Sequence, residues 1–595
     1  MSTMIGGLRQ RHQVSLCIVA SALCGGFGNA LESVSILAFL QIFLLLCALN
    51  LRHAEQYKAI GQAPPSSSCC GGYCTAETYN ATKLVLFVSV ANGIGFLIGY
   101  EGLFGYPSTT FLTLAESFGA GFLSWLGFSL FSLLPYTCVL SRQPSVSWST
   151  FLVFPLCHTF VTMTVIGTFF STFTSQANAM LDYEPLRQSA GLFGIAFANF
   201  VAMYCACALA FFCTPPFGSS SSNFNNFSLS SKYVSLPVFF VLSVFVIGGF
   251  LKVRQSFYQV DVSELIVPSV PVSCVLADSV SPTGPTAGAY EVLWATTLAR
   301  VTAGDDIVLM AEESLYFVSA ADEKAALTRA YDIAKTAADA RGGEAKGIEV
   351  LIGVNYEMWL PENDYATNQF ALVSSRFEEP VWNYLKAHPV PLVEADVKGG
   401  PWRIPIYDSL NLGRLSGAIC FDFDFPPLIS QAGREKVDIM LQASWTWNAI
   451  SYRHFDNDAV RTIENGFTLF RCSSDGESGI VGPSGEVFSR VYTGHGPELA
   501  ATFNLPLYER VNTVYAQCGG FVFEWIVAVL GGVYCLYTFA PRCALNGIYG
   551  GFLGGALRAF GLPFETDMKD NRPNTMDTFG FKESLLGGQQ TASVF

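Results

Sequence analysis

Long runs of apolar residues fill the first 250 positions of the chain and recur once near its C-terminus. A bilayer core requires about 20 mostly apolar residues in each spanning helix, because hydrocarbon cannot satisfy an open backbone amide or carbonyl. Seven runs before position 255 and an eighth at 521–541 meet this requirement. The pattern predicts a multi-pass α-helical membrane domain over residues 1–254 and a closing transmembrane helix at 521–541. The seven earlier spans are predicted at 14–30, 33–50, 84–104, 118–140, 149–171, 190–213 and 233–251.

Residues 255–520 show a different pattern, in which short apolar runs with β-branched residues are separated by turn residues. Such runs are typical of buried strands. Residues 322–341 are rich in Ala and charged helix formers, and 452–464 carry apolar residues on one helical face, so both predict helices. Strands that alternate with helices predict a layered α/β domain, and the polar residues 542–595 predict a mobile cytoplasmic tail. The strands are predicted at 307–310, 348–354, 370–374, 415–420, 437–441, 468–472 and 479–481.

Charge is divided unevenly between these two parts. Of 33 basic and 47 acidic residues, the first 250 positions hold eight and seven, which leaves 25 and 40 for the remainder. The acidic balance of the α/β part disfavours nucleic acid and acidic lipid headgroups as its partners. Cytoplasmic loops are enriched in Lys and Arg. With the N-terminus inside, seven such residues lie on inner loops and three on outer loops, so we expect an integral membrane protein whose α/β domain is extracytoplasmic.

The 17 cysteines follow no spacing from which a disulfide framework can be read. Cys69, Cys70 and Cys74 lie together in a Ser/Gly-rich segment, which is compatible with metal binding, lipid attachment or a bridge. The segment lacks the second cysteine pair or the histidines of a zinc site. We therefore predict no metal site.

Three polar residues of the α/β part carry candidate chemistry. Cys420 ends an apolar strand and is followed by acidic residues, although a lone cysteine there is also typical of an inert buried thiol. Glu312 follows the apolar run 307–310 and can take a thiol proton as general base. Lys386 can lower a thiol pKa and stabilise an oxyanion. Taken alone, Glu312 is more typical of a helix cap and Lys386 of a solvated surface charge.

The order Glu, Lys, Cys on successive strand ends resembles the nitrilase superfamily, and the surrounding motifs resemble the apolipoprotein N-acyltransferases. The motifs of that family are Trp-Pro-Glu-Thr, Lys-x-His-Leu-Val-Pro-Phe-Gly-Glu and Ile-Cys-Tyr-Glu. This chain departs from them at Ala311, at Leu392-Val393 and at the shorter carboxylate of Asp422, and these changes bear on the acceptor. The stretches that match here are Met310-Ala-Glu312-Glu313, Lys386-Ala-His388-Pro-Val390-Pro391-Leu-Val-Glu394 and Ile419-Cys420-Phe421-Asp422, with weaker likeness at Trp445-Thr-Trp447, His454 through Arg471, Ser478 through Gly485 and Thr513-Val-Tyr515.

The resemblance implies a nitrilase-like αββα sandwich at 255–520, flanked by seven transmembrane helices before it and one after. It also implies acyl transfer in two steps. Cys420, with Glu312 as base, takes a fatty acyl chain from a phospholipid ester as a thioester, while Lys386 stabilises the oxyanion. An amine, in the family that of a lipid-modified protein cysteine, then receives the chain. By the same resemblance Glu394 and Asp422 support the lysine and the thiol, and no metal or organic cofactor is required.

The assignment of the base rests on strand geometry. Consecutive residues at a strand end point to opposite faces, so Glu313 is expected to point away from Glu312. Trp445, Trp447 and Tyr515 either border the lipid entrance or are ordinary packing and interfacial aromatics. Two other functions stay open: a membrane-anchored amidase or nitrilase that uses the same three residues with water as acceptor, and an inactive lipid-binding or scaffold protein.

Overall fold

A computed structural model of the chain provides the fold. It describes residues 13–24, 35–60, 87–91, 94, 122–123, 126–137, 148–166, 171–174, 184–214, 248, 268–277, 287–391, 393–447, 450–494, 500–508, 510–518 and 521–539. Cys69, Cys70 and Cys74, the spans predicted at 84–104 and 233–251 for the most part, and the tail at 542–595 lie outside the described residues.

The described part of the first 250 residues is helical. Apolar side chains from these helices and from the C-terminal helix form one buried cluster, which includes Leu45, Phe154 and Val201. The helices are α1 Gln13–Cys24, α2 Ser35–Ile60, α3 Leu126–Thr137, α4 Trp148–Phe160, α5 Glu184–Gln188, α6 Ala190–Cys213 and, at the other end of the chain, α12 Phe521–Phe539.

Within the described ranges, one helical stretch, Ala190–Phe211, is long and apolar enough to cross a bilayer by length and composition. Five shorter apolar helices accompany it. Helices therefore occur in the spans predicted at 14–30, 33–50, 118–140, 149–171, 190–213 and 521–541, although α2 continues ten residues beyond the predicted limit, to Ile60. The multi-pass membrane domain stays a prediction.

Two β-sheets form the α/β part. The first has the strand order β13-β1-β2-β4-β5-β6, with β3 paired to β4, and the second has the order β12-β11-β10-β9-β8-β7. A strand occurs at each of the seven predicted positions, with ends that differ from the prediction by up to six residues. The strands are β1 Ser269–Val275, β2 Ile307–Met310, β3 Leu315–Phe317, β4 Leu351–Leu360, β5 Tyr365–Ser374, β6 Trp382–Leu385, β7 Tyr407–Asp408, β8 Arg414–Ile419, β9 Ile439–Trp445, β10 Thr468–Ser474, β11 Gly476–Val481, β12 Val487–Thr493 and β13 Ala500–Pro506.

The two sheets pack face to face, and a helical layer covers each outer face. Leu309 and Phe370 of the first sheet share one buried cluster with Leu441 and Phe470 of the second. Because strand residues alternate between faces, Val308 and Ala371 point the other way, into a second cluster with the helices α7 and α8. The αββα sandwich predicted from the sequence is thus confirmed. The remaining helices are α7 Ala287–Ala303, α8 Ala320–Arg341, α9 Pro426–Arg434, α10 Ser451–Asn465 and α11 Val514–Cys518.

A disulfide joins the two sheets at Cys274 of β1 and Cys472 of β10, which are 198 residues apart in sequence. The cysteine spacing did not reveal this pair, because the partners lie on strands of different sheets. A crosslink of this kind closes a long loop of the unfolded chain and is typical of oxidising compartments.

The helical part contacts the sandwich through polar groups. Helix α6 is interrupted at Phe193 and Gly194, and the freed amide of Ile195 donates to the Glu464 carboxylate at 2.8 Å. Thr172, in a short 3-10 helix after α4, donates to the backbone carbonyl of Asp424 at 2.7 Å. The helical part therefore contacts the segment that directly follows Cys420.

Candidate active site

Cys420 is the first residue after β8, and it opens a 3-10 turn that ends at Asp424. Its backbone is left-handed, with φ +43°, a conformation that costs free energy in a non-glycine residue and persists only where the surroundings impose it. The residue is 3 % exposed, and its thiol donates to the backbone carbonyl of Trp445 at 3.5 Å. The strand end thus presents the thiol to the interior of the sandwich.

Lys386 lies between two carboxylates. Its Nζ is 2.7 Å from Oε1 of Glu312 and 2.5 Å from Oε1 of Glu394, and its side chain is fully buried. Glu312 also accepts a hydrogen bond of 2.9 Å from the Asn368 side chain, and the second oxygen of Glu394 accepts one of 2.6 Å from the Val390 amide. These hydrogen bonds and ion pairs stabilise the buried charges of Lys386, Glu312 and Glu394, which would otherwise be unfavourable away from water.

Burial and the charges around the thiol together determine whether Cys420 is protonated. Burial raises the pKa of Cys420 well above its usual value, and the nearby Glu312 adds to this rise, whereas Lys386 lowers it. Burial alone would lower the pKa of Lys386, but Glu312 and Glu394 outweigh it and hold that pKa well above the usual range. The resting site therefore contains a neutral thiol and an ammonium, so an attack by sulfur requires a base to take the thiol proton.

The structure brings together Glu312, Lys386, Glu394 and Cys420, as the sequence predicts, but it corrects the position of Glu313. This residue was expected to point away, yet oxygen atoms of Glu312, Glu313 and Glu394 all lie within 4.8 Å of one another. Strand alternation does not apply, because β2 ends at Met310 and Glu313 adopts φ +57°. Its backbone amide donates to the Asn355 side chain, which holds the turn.

Asp422 connects the segment of Lys386 to the segment of Cys420. One of its oxygens accepts from the hydroxyl of Tyr384 at 2.7 Å, and the other accepts from the backbone amide of His388 at 2.8 Å. The carboxylate is completely buried. It is therefore placed to fix the distance between the lysine and cysteine segments, and its supporting role in catalysis stays a prediction.

A second buried polar cluster lies behind the nucleophile turn. Gln442 of β9 donates 3.3 Å to the Cys420 carbonyl and 2.8 Å to the Asp458 carboxylate. Arg471 also contacts Asp458, and its other terminal nitrogen is 3.0 Å from Nδ1 of His454. Since arginine only donates, Nδ1 accepts, and the proton of the neutral imidazole is on Nε2, 3.2 Å from Asp424.

Sequence reasoning missed Gln442, Asp458 and Asp424. A buried polar residue in the middle of an apolar strand such as β9 was the available signal for Gln442, because such a group requires a hydrogen-bond partner.

The His454 ring is uncharged at neutral pH. Burial lowers its pKa to about 4, although the nearby Asp458 opposes this shift.

The three aromatic residues considered for a lipid entrance occupy two places. Trp445 and Trp447 pack edge to face, with ring centroids 6.2 Å apart, next to the thiol. Tyr515 is 2 % exposed and lies against Gly194, at the interruption of α6. Their part in a substrate entrance stays a prediction.

This arrangement can support nucleophilic catalysis. A thiol, a carboxylate and a buried ammonium lie together, and the ammonium is placed to stabilise negative charge on a carbonyl oxygen of a bound ester or amide. Glu312, Glu313 and Glu394 form the carboxylate group in the described part of the chain that has oxygens close enough to hold a cation. The Lys386 ammonium already lies between two of them.

No protein-family model matches the sequence. Solved structures similar to the chain include an amidase from Nesterenkonia sp., with 18% identity, 42% of this chain and 92% of that chain covered, and a TM-score of 0.32. A mutant of the Nesterenkonia AN1 amidase from the nitrilase superfamily has 18% identity, coverage of 44% and 99%, and a TM-score of 0.32. Another mutant of that amidase, with covalent addition of the acetamide moiety of fluoroacetamide at its active site cysteine, has 19% identity, coverage of 42% and 95%, and a TM-score of 0.33. At this level of sequence identity and with these TM-scores, the matches identify no family for the chain.

Proposed function

We propose that the protein is a membrane-bound N-acyltransferase, which moves a fatty acyl chain from a phospholipid to an amine through a thioester on Cys420. The observation that carries the proposal is the buried Lys386 ammonium, held 2.7 Å from Glu312 and 2.5 Å from Glu394 beside a neutral thiol. This combination provides a nucleophile, a base and an oxyanion partner in one place. The motif resemblance to the apolipoprotein N-acyltransferases supports the choice of acyl transfer.

In the first step Glu312 takes the thiol proton and the sulfur attacks the ester carbonyl of the lipid. A C–S bond forms, the ester C–O bond breaks, and the leaving alcohol receives the proton from Glu312. Lys386 stabilises the oxyanion of the tetrahedral intermediate. In the second step an amine attacks the thioester carbonyl and the thiol is released.

Two features favour a lipid donor and an extracytoplasmic site. The helical part, which includes the apolar stretch Ala190–Phe211, donates hydrogen bonds from Ser171 and Thr172 to Asp424, at the end of the nucleophile turn. The helices, which a lipid would contact, thus lie against the segment that follows Cys420. The Cys274–Cys472 disulfide is typical of proteins outside the cytosol, in agreement with the orientation predicted from the loop charges.

The test is mass spectrometry of the full chain in lipid nanodiscs, made with a phospholipid that carries an isotopically labelled acyl chain. We expect the labelled acyl mass on Cys420, its loss on addition of a lipopeptide with a free N-terminal amine, and its appearance on that amine. The Cys420→Ala variant should carry no label, whereas Cys518→Ala, which removes an exposed free cysteine, should behave as wild type. Release of free fatty acid with no transfer to the peptide would favour a hydrolase. An unlabelled Cys420 together with unchanged cellular activity of Cys420→Ala would favour a scaffold.

A further inference from the structure

Glu313 is a carboxylate for which the two catalytic steps just described have no use. The family motif that this segment resembles has threonine at its position. Its left-handed backbone and the hydrogen bond from its amide to Asn355 turn the side chain towards Glu312 and Glu394. The segment is therefore built to add a third carboxylate beside the proposed base.

Glu313 adds a carboxyl group to a site whose one ammonium already has two partners. The Lys386 ammonium pairs with Glu312 and Glu394, and no hydrogen bond or ion pair from a described residue reaches the Glu313 carboxylate. Glu357 and Glu394 are close enough to contribute, after burial and Glu312, to a pKa of Glu313 well above its usual value. Three carboxyl groups thus surround one ammonium. Because its pKa is raised, Glu313 holds a proton in the resting site, and a second cation that approached would take the place of that proton.

A cavity of about 10 Å³, with room for one group the size of water or an ammonium head, opens beside this group. It is lined by Glu312, Glu313, Ser314, Ser474 and Asp475 among others. Ser474 is only 9 % exposed, and its hydroxyl has no hydrogen-bond partner among the described residues. A buried hydroxyl normally has such a partner, so this lining residue is a second, independent indication that a polar group of a ligand belongs in the cavity.

We propose that this cavity receives the acyl acceptor as a primary ammonium ion, and that Glu313 binds it next to the base Glu312. The inference rests on the proposed function and specifies its second substrate. An ammonium group suits the site because it is small, carries three donors and needs several oxygen acceptors at short range.

The bound ammonium enters the second step with its protons accounted for. One ammonium proton passes to a carboxylate of the cavity and from there to solvent, which leaves a neutral nitrogen with a lone pair. That nitrogen forms a C–N bond to the thioester carbon, and the C–S bond breaks. The nitrogen then loses a second proton, which Glu312 returns to the departing sulfur, so that Cys420 is again a neutral thiol.

The experiment separates the two steps in the full chain. Wild type and Glu313→Gln are first loaded with a labelled acyl chain from phospholipid in nanodiscs, and the acyl-enzyme is then treated with a lipopeptide that has a free N-terminal amine. We expect loading of Cys420 within about twofold of wild type, and transfer to the peptide slower by about 10- to 100-fold at low peptide concentration, mainly through KM. Equal loading also shows that the variant is folded.

Two further measurements make the result specific. Hydroxylamine, which is uncharged at neutral pH, should discharge both acyl-enzymes at the same rate, since it gains nothing from a carboxylate. The control variant Glu379→Gln removes an exposed carboxylate and should transfer as wild type.

Different results would contradict different claims. Transfer to the peptide at the wild-type rate in Glu313→Gln, or an equal slowing with the peptide and with hydroxylamine, would overturn the ammonium site and leave the thioester intact. Competition by millimolar Ca²⁺ that disappears in Glu313→Gln, with no change in peptide KM, would also overturn it, because it would identify a metal site. Failure of wild type to acquire an acyl group at all would instead contradict the proposed function.

Discussion

Two groups of charged residues lie around the Cys420 turn, a back group that includes Arg471 and a front group that includes Lys386, and they differ in their balance of charge. Behind the turn, Arg453, Arg461 and Arg471 face three carboxylates, and all six side chains are at most 4 % exposed. In front of it, Lys386 alone faces three. The carboxylates behind the turn are Asp424, Asp458 and Glu464, and those in front are Glu312, Glu313 and Glu394.

The two groups differ in what they can contribute: the back group can hold the nucleophile turn in place, and the front group can take part in the reaction. The back group has equal numbers of arginines and carboxylates, and it ties Cys420 through Gln442 to the body of the sandwich. The front group has more carboxyl groups than cations and lies beside a cavity, so a bound cation or a proton can neutralise the excess. We therefore expect changes in the front group to alter chemistry and pH dependence, and changes in the back group to alter the geometry of the nucleophile.

The largest effect is expected from Lys386→Met, which removes the one cation of the front group. Acylation of Cys420 should fall by about 10²- to 10³-fold, because the oxyanion loses its partner. The free energy of unfolding should fall by about 3–5 kcal/mol, because two buried carboxylates lose their counter-charge. Labelled-lipid mass spectrometry and thermal unfolding measure the two effects. Lys398→Met, at an exposed lysine, is the matched control, and an equal loss of acylation there would contradict the assignment.

The next effect concerns the disulfide between the sheets. Replacement of both Cys274 and Cys472 by alanine should lower the stability of the sandwich by about 2–4 kcal/mol, since the bridge closes a long loop of the unfolded chain. In the wild type, both thiols should resist alkylation until the denatured protein is reduced. If they react with the alkylating reagent before reduction, the bridge is absent, and the disulfide no longer supports an oxidising compartment.

A double substitution tests the back group. Gln442→Glu places a carboxylate against the Cys420 carbonyl and against Asp458, so we expect acylation to slow by about 10- to 100-fold and Tm to fall. Adding Asp458→Asn restores an amide–carboxylate pair, in which the carboxylate is now at position 442 and the amide at position 458. Tm should then recover, whereas acylation should stay slow, because no amide donor faces the Cys420 carbonyl. Recovery of both would show that Gln442 stabilises the fold without positioning the nucleophile.

The smallest effect is a pH dependence at the edge of the front group. Burial raises the pKa of Glu357 to about 7 from 4.5, with further contributions from Asp396 and Glu394. The folded protein therefore holds a proton that the unfolded chain releases, and stability falls as pH rises from about 4.5 to about 7. Glu357→Gln should remove this dependence and be more stable than wild type above pH 7, by about 1 kcal/mol after solvent screening. Parallel Tm curves for the two proteins across this window would contradict the shift.

Local patterns in the sequence were sufficient for much of the fold and for the central residues of the candidate site. The run 307–310 is strand β2 as predicted, and 322–341 lies within helix α8, because periodicity and composition act over neighbouring residues. Glu312, Lys386 and Cys420 were found from polar residues at the ends of such runs, together with motifs that the chain resembles. Their convergence required only that these strand ends meet at one edge of the sandwich.

Only the tertiary structure decided how distant positions combine. Cys274 meets Cys472 across 198 residues, and Gln442, Asp458 and Arg471 come from three elements, so their pairing depends on strand order and sheet packing, which local periodicity does not encode. The direction of Glu313 was decided in the same way. Strand alternation predicted that it points outward, whereas the left-handed turn after β2, held by Asn355 on β4, directs its charge into the group around Lys386.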